Sequence, residues 1–304
     1  MANKVIMLDS SVMSFKAAFQ AELAAKYRKG GDFQMPSHYT YFSSVLACLK
    51  KINVEEGDTV ILAIDDHSWR KDYYSPYKAQ RKEAREKHLI DWDEHFGNVN
   101  RINQQIDYAT PFHVLRIPGC EADDIFSVAS RVFKDREVII CSIDSDLHQL
   151  AYYPNVRIFN LNFKTPKGKG GYVEITKEEA LKILDKKCRK GDVSDNILIE
   201  PNEDENDAEL RRTIINLLEL PEFVEKPITE VLTNLPNKTK ITWEELPFQN
   251  SLAKRFKEIF DPQFKVEYDY CIKLKEKRTI RKKKKEADKR QLKKENKNES
   301  ISSN

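Results

Sequence analysis

Short apolar runs alternate with longer amphipathic stretches through the first half of the chain. Residues 5–8 are continuously apolar and stop at Asp9, and amphipathic segments follow at 14–27 and 38–52. Residues 59–64 (TVILAI) form a second run that stops at Asp65, residues 112–117 a third, and residues 138–143 (VIICSI) a fourth that stops at Asp144. A helix pattern opened by acidic residues occupies 122–133. Short apolar runs separated by helices predict a parallel sheet, because a strand covered by helices on both sides can be apolar throughout. The expected fold class is therefore α/β, a central mostly parallel sheet with helices on both faces.

Past residue 150 the sheet pattern fades. Residues 156–161 and 172–175 read as edge strands around a Gly/Lys-rich loop at 164–171, and helices are expected at 177–187, 207–218 and 243–260. The acidic stretch 200–209 and the Pro/Thr/Asn-rich stretch 231–242 read as loops. After Tyr270 the large apolar residues disappear and Lys, Glu and Asn take over, the pattern of a solvated helix or a disordered tail.

Charge sharpens that division. The 304 residues carry 52 Lys and Arg against 49 Asp and Glu, a net charge of only +3. Residues 273–304, however, hold 14 basic and 5 acidic residues, a net +9, which leaves residues 1–272 at a net −6. An acidic body and a basic tail are separate electrostatic objects. The five cysteines (Cys48, Cys120, Cys141, Cys188 and Cys271) are scattered singly, as expected of reduced thiols in a cytoplasmic protein. No run approaches the length of a membrane span, so no membrane association is expected.

Three of the four strand patterns end in aspartate. Ligands of open α/β sheets sit at the carboxyl ends of strands, so Asp9, Asp65 and Asp144 are expected on one rim. Any one of them alone reads as a cap for the following helix; the three together do not. Glu121, Asp123 and Asp124 add acids at a helix start, Asp146 follows Asp144 by two, and Asp192 and Asp195 lie in Gly-Asp-Val-Ser-Asp-Asn. Converging carboxylates need protons or cations to relieve their repulsion. A donor set of oxygens without His or Cys selects hard ions, Mg²⁺ with Mn²⁺ as substitute, and two such ions suit phosphodiester hydrolysis.

Residues 67–96 follow the strand ending at Asp65 and interleave Trp69, Tyr73, Tyr74, Tyr77 and Trp92 with Arg70, Lys71, Lys78, Arg81, Lys82 and Arg85. Lys78, Arg81, Lys82 and Arg85 stand at i, i+3, i+4 and i+7, one basic stripe on a helix. Cations for phosphates and rings for bases are what a single-stranded backbone requires, and a connection of this length can cover the rim as a lid or arch.

This ordered set resembles the 5′-nuclease family of flap endonucleases and 5′-to-3′ exonucleases, in length and style the T-even bacteriophage ribonuclease H branch. The blocks are Asp9, Asp65, Tyr77-Lys78-x-x-Arg81, Glu121-x-Asp123-Asp124, Asp144-Ser-Asp146 and Gly191-Asp192-x-x-Asp195-Asn196, across roughly residues 4–200. The resemblance implies a PIN-like nuclease core at 1–185 with a helical arch at 67–96. A helical DNA-binding region with a helix-turn-helix-like element at 186–270 and a basic tail at 271–304 would follow. It implies two Mg²⁺ ions, the tighter held by Asp9, Asp65, Glu121, Asp123, Asp124 and Asp144 and the second by Asp146, Asp192 and Asp195. Lys78 and Arg81 would reach the scissile phosphate, with Asp144 and Asp146 counted among the catalytic groups and Tyr77 stacking on or orienting substrate. Arg70, Lys71, Lys82, Arg85 and Lys190 would bind nucleic acid. The implied substrates are RNA primers and 5′ flaps of replicating DNA, cut by a monomer in the cytoplasm, the host's if the gene is a phage's. A single-strand-binding protein or a sliding clamp is an implied partner.

One departure stands out. The family follows its Gly-Asp-x-x-Asp-Asn block with a Gly-x-Gly turn that grips duplex backbone, whereas residues 197–203 here read ILIEPNE. The duplex grip must be made differently, with Lys186, Lys187, Arg189 and Lys190, or Lys254, Arg255 and Lys257, as candidate phosphate contacts. Two other classes compete. A haloacid-dehalogenase-type phosphatase would carry Asp-x-Asp after the first strand, where this chain has Asp9-Ser10-Ser11. A non-catalytic nucleic-acid-binding protein would not need every acidic position filled.

Overall fold

The computed structural model describes residues 3–26, 37–55, 57–166, 168–199 and 201–238, with positions 280 and 284. The four apolar runs become β1 (Val5–Asp9), β2 (Thr59–Ala63), β3 (His113–Leu115) and β4 (Val138–Ser142). Every residue of β1 and β4 is buried, as expected of strands sandwiched between helices. With β5 (Val156–Thr165) and β6 (Gly168–Val173) they form one sheet in the order β3-β2-β1-β4-β5-β6. All neighbours are parallel except β5 and β6.

Helices cover both faces. On one, α1 (Ser10–Lys26), α2 (Ser37–Ile52) and α5 (Trp92–Ala109) pack through Met13, Phe42, Leu49 and Ile102 onto Ile6, Leu8 and Leu62. On the other, α6 (Ala122–Val132), α7 (Lys177–Lys190), α8 (Glu205–Ile215) and α9 (Glu222–Thr233) join a 3₁₀ segment at Asp146–Tyr152 over Val5, Met7 and Ile140. Two shorter helices, α3 (Arg70–Tyr73) and α4 (Gln80–Glu86), lie between β2 and α5. β1 sits between β2 and β4, and the segments leaving β1 and β4 go to opposite faces. A crevice therefore opens at the carboxyl ends of β1 and β4, where strand order reverses.

The structure departs from the sequence reading in the second half. Residues 164–171 are not a loop but the tip of the β5–β6 hairpin, where Lys164 pairs with Lys169 and Thr165 with Gly168. Gly170, at φ +99°, lies against the Phe159 ring, so its glycine serves a close approach of two strands. The expected loop from 231 is helical through Thr233, the end of α9, which carries Pro227 in its middle. The helix expected at 243–260, with Lys254, Arg255 and Lys257, and the basic tail apart from positions 280 and 284 lie outside the described residues.

Candidate metal centre beneath a basic arch

The strand-end aspartates meet at the crevice. Asp9 closes β1, and its carboxylate accepts from the Val12 backbone N–H (2.8 Å) and the Ser142 hydroxyl (2.7 Å) at the end of β4. Asp65 accepts from the Ala122 N–H at 2.8 Å, where the first turn of α6 exposes free donors. Asp144 accepts from the Asp146 N–H at 2.9 Å, which folds the two acids over the strand end. Burial first, then the neighbouring charge of Asp65, pushes Asp9 up to about 7. Asp123 is raised well above the carboxylate range by burial and by Asp144. Asp146 is pushed up to about 7 by burial and Asp144.

The second group is held by a backbone device. Gly191 ends α7 at φ +70°, where a Cβ would run into the Ile197 carbonyl. This turn lets Asp192 exchange two backbone hydrogen bonds with Ile197, at 2.7 and 2.8 Å. Asp192 and Asp195 are thereby brought beside Asp146, with one oxygen from each of the three lying within 4.8 Å of the others. Seven carboxylates (Asp9, Asp65, Asp123, Asp144, Asp146, Asp192 and Asp195) thus share the rim. Burial first, and neighbouring carboxylates second, disfavour the charged forms of Asp9, Asp123 and Asp146, whereas at Asp192 burial is outweighed by Lys187 and Ser194, which lower its pKa. An all-oxygen set in that state fits hard divalent cations.

Glu121 and Asp124 are neutralised differently. Glu121 is the N-cap of α6 and accepts from Lys78 Nζ (2.6 Å), Tyr77 OH (2.8 Å), Ser68 Oγ (2.9 Å) and Arg70 Nη1 (3.1 Å). Burial alone would raise its pKa, but Lys78 and Arg70 outweigh it and hold Glu121 at about 2. Asp124, fully buried, takes both Arg70 Nη atoms (2.8 and 3.1 Å) and returns to the Glu121 N–H. Its oxygens are committed to the fold, which corrects its placement in the tighter ligand set. Arg70 is 2% exposed and also donates to the Ile214 carbonyl, so it is not a nucleic-acid contact. Tyr77, 3% exposed, lies under Lys78 and is not free to stack on a base.

The segment 67–96 crosses above these acids. On one side Lys78 N–H donates to the Asp195 carbonyl (2.9 Å), Gln80 to that of Ser194 (2.9 Å), and Asn196 to that of Pro76 (2.8 Å). On the other, His88 (2.7 Å) and the Leu89 N–H (2.8 Å) bind Glu22 of α1, and Trp92 packs among Phe15, Phe19 and Phe96. The expected continuous stripe is broken at its first member. Lys78 has φ +55° and precedes α4, which turns its ammonium inward to Glu121 and, at 3.6 Å, to Asp195. Arg81 also reaches Asp195, at 2.6 Å, while its side chain keeps 49% exposure. Lys71 and Lys82 are exposed and Arg85 half-buried, and Lys190 is exposed at the end of α7.

Beneath the arch lies a cavity of about 500 Å³. Lys71, Lys78, Arg81, Arg85 and Arg116 supply its cations and Phe15, Phe19 and Phe96 its rings, with Asp65 and Glu121 at its floor. Sequence reasoning missed Arg116, Phe15 and Phe19, which belong to segments distant in sequence, and Phe96 at the end of the arch segment. It also missed the true partner of Lys187, taken as a phosphate contact: Nζ instead bridges Asp146 and Asp192.

An α/β sheet with a carboxylate-lined switch point under a cationic arch is an arrangement whose chemistry suits divalent cations and phosphates. Residues 4–184 match the family model of the 5′-3′ exonuclease, N-terminal resolvase-like domain, and the chain belongs to that family. It is 33% identical over 158 residues to the ribonuclease H of Enterobacteria phage T4, a stretch covering 48% of this chain and 50% of that protein. The chain thus spans about half the length of the curated relative it matches. Among solved structures, a point mutant of the T5 5′-exonuclease aligns at 13% identity and a TM-score of 0.49, over 76% of this chain and 98% of that one. The bacteriophage T5 flap endonuclease in a pseudo-enzyme-product complex with DNA and metal ions aligns at 16% identity and a TM-score of 0.47, over 90% and 92%. Among the described residues no helix is long and apolar enough to cross a membrane.

Proposed function

We propose that this chain is a Mg²⁺-dependent 5′ nuclease that hydrolyses phosphodiester bonds of 5′ flaps and RNA primers. The observation that carries the reading is the gathering of two carboxylate groups at the strand-order switch, with Asp65 and Glu121 reaching the wall of a cavity lined by cations. Family membership and the likeness to the T4 ribonuclease H support it. Asp9, Asp65, Asp123 and Asp144, with Glu121 beside them, would hold one ion, and Asp146, Asp192 and Asp195 would hold the other. Bound there, such ions supply an activated water and neutralise charge on the phosphate.

The protein's own residues do the rest. Lys78 and Arg81 stand between the arch and the acids, where they meet the non-bridging oxygens of a phosphate entering from the cavity. The cavity has the scale of a small-molecule pocket, so it admits an unpaired strand and excludes a duplex. Its rings stack unpaired bases while Lys71, Arg85 and Arg116 follow the backbone. The α/β core at 1–185 carries most of the catalytic groups, Asp192 and Asp195 join it from the turn after α7, and the chain beyond, with its basic tail, contributes duplex contacts. A monomer suffices for this chemistry, with a single-strand-binding protein or clamp as replication partner.

A 5′-flapped duplex, an RNA-primed duplex and a generic phosphate monoester, each incubated with Mg²⁺ and with EDTA, test the reading. Mg²⁺-dependent release of 5′ fragments from the first two is expected, with loss in EDTA and in Asp144→Ala. Hydrolysis of the monoester alone would favour a phosphatase, and cleavage that persists in EDTA would remove the metal mechanism.

A further inference from the structure

The two carboxylate groups differ in one respect that their composition does not predict. In the group of Asp9, Asp65, Asp123 and Asp144, the opposing cation that acts on Asp123 is Lys78, which is itself bonded to Glu121. The other group already contains a cation. Lys187, in the last turn of α7, places Nζ on Asp146 Oδ1 and, at 2.5 Å, on Asp192 Oδ2. Those residues belong to the set whose oxygens lie within 4.8 Å of one another. The lysine side chain is only 18% exposed, so the ammonium lies inside the group and not at its margin.

An ammonium and a divalent ion cannot both occupy that space. Lysine is a compact charge on a flexible four-carbon stem, so its head can leave by rotamer changes alone. It will leave only when another anion replaces the two carboxylates, since a half-buried cation stripped of partners is costly. The anion that approaches this end of the crevice is the substrate phosphate.

We propose that Lys187 is a resident counter-cation that closes the Asp146/Asp192/Asp195 group to a divalent ion until a phosphodiester draws the ammonium away. The second ion and the nucleic acid therefore bind cooperatively, and the lysine ends on the phosphate. The apparent affinity of the second ion is reduced by the fraction of molecules in which Lys187 has moved out. This rests on the two-ion reading above.

The test uses the full chain, Mn²⁺ titrations followed by calorimetry and electron paramagnetic resonance, and a 5′-flapped duplex whose phosphorothioate linkages resist cleavage. In the unaltered protein the flap should tighten the second Mn²⁺ by about tenfold or more, the size of an ordinary coupling between sites. Lys187→Met should bind the second Mn²⁺ about tenfold more tightly without DNA and lose most of the coupling, while its first site is unchanged. Lys187→Arg, which keeps the charge, should stay closer to the unaltered protein than to Lys187→Met. Equal second-site affinity in Lys187→Met and the unaltered protein would overturn the proposal. So would a second affinity in the unaltered protein that the flap does not change, a measurement that needs no variant. If two ions bind but the lysine does not affect them, only this inference falls; if no second ion binds in any chain, the two-ion reading falls with it.

Discussion

Asp123 and Asp124 are adjacent, equally acidic, and given opposite work by the helix that carries them. Successive residues of an α-helix point about 100° apart, the consequence of 3.6 residues per turn. Asp124 therefore faces inward to Arg70 and Trp69 while Asp123 faces Asp144 and Asp9 on the rim. Both were legible as acids at a helix start; only packing separates the structural one from the candidate ligand. A third residue, His38, shows how burial sets a pH limit. Burial first, then Arg101 and His95, lowers its pKa to about 4. The unfolded chain takes up a proton near pH 6.5, whereas the folded chain resists until about pH 4. Stability is thus complete above pH 6.5 and falls as pH drops toward 4, by up to about 3 kcal/mol from this residue. Urea midpoints at pH 7 and 4.5 should show a smaller acid loss in His38→Gln than in the unaltered protein. Equal losses would sink the assignment.

At the level of elements, the strands and the helices on both faces were readable because a buried strand and an amphipathic helix have different periods. The arch was readable as a long basic and aromatic connection, but not its internal geometry. Tyr77 and Lys78 turn inward because Lys78 adopts a left-handed conformation before α4, a backbone choice with no hydrophobic signature. The anchor of α3 was equally hidden. Arg70 joins α3 to the start of α6 through Asp124 and Glu121 and to the end of α8 through the Ile214 carbonyl. Removing one partner of a buried pair leaves an uncompensated charge, a loss of about 3–5 kcal/mol. Arg70→Met should therefore lower the unfolding free energy by about that amount in urea denaturation, with little change from replacing the exposed Lys82 by Met. An Arg70→Met protein as stable as the parent would show that the pair does not hold the arch foot.

For the whole molecule, the near-zero net charge resolves into three parts. The acidic rim gathers carboxylates that a divalent ion would offset, so a negative body does not argue against a polyanionic substrate. The arch brings its cations to one cavity. The tail at 273–304 carries a net +9, and on the proposed function it would add phosphate affinity that needs no particular base sequence. Deleting 277–304 should weaken flap binding and flatten its dependence on salt while leaving single-turnover cleavage of bound substrate intact. Binding measured across a salt series checks this, and unchanged affinity at low salt would remove the tail from the account.

The amino-acid sequence by itself determined the α/β class, the strand ends that carry Asp9, Asp65 and Asp144, and the family, because short-range periodicity and the order of acidic blocks are linear properties. The tertiary structure alone decided which acids remain free for a metal, which cations are buried against them, and that Lys187 lies between Asp146 and Asp192. Those outcomes depend largely on contacts between residues tens to more than a hundred positions apart, where burial and the direction of each side chain, and not its chemical type, determine its partner.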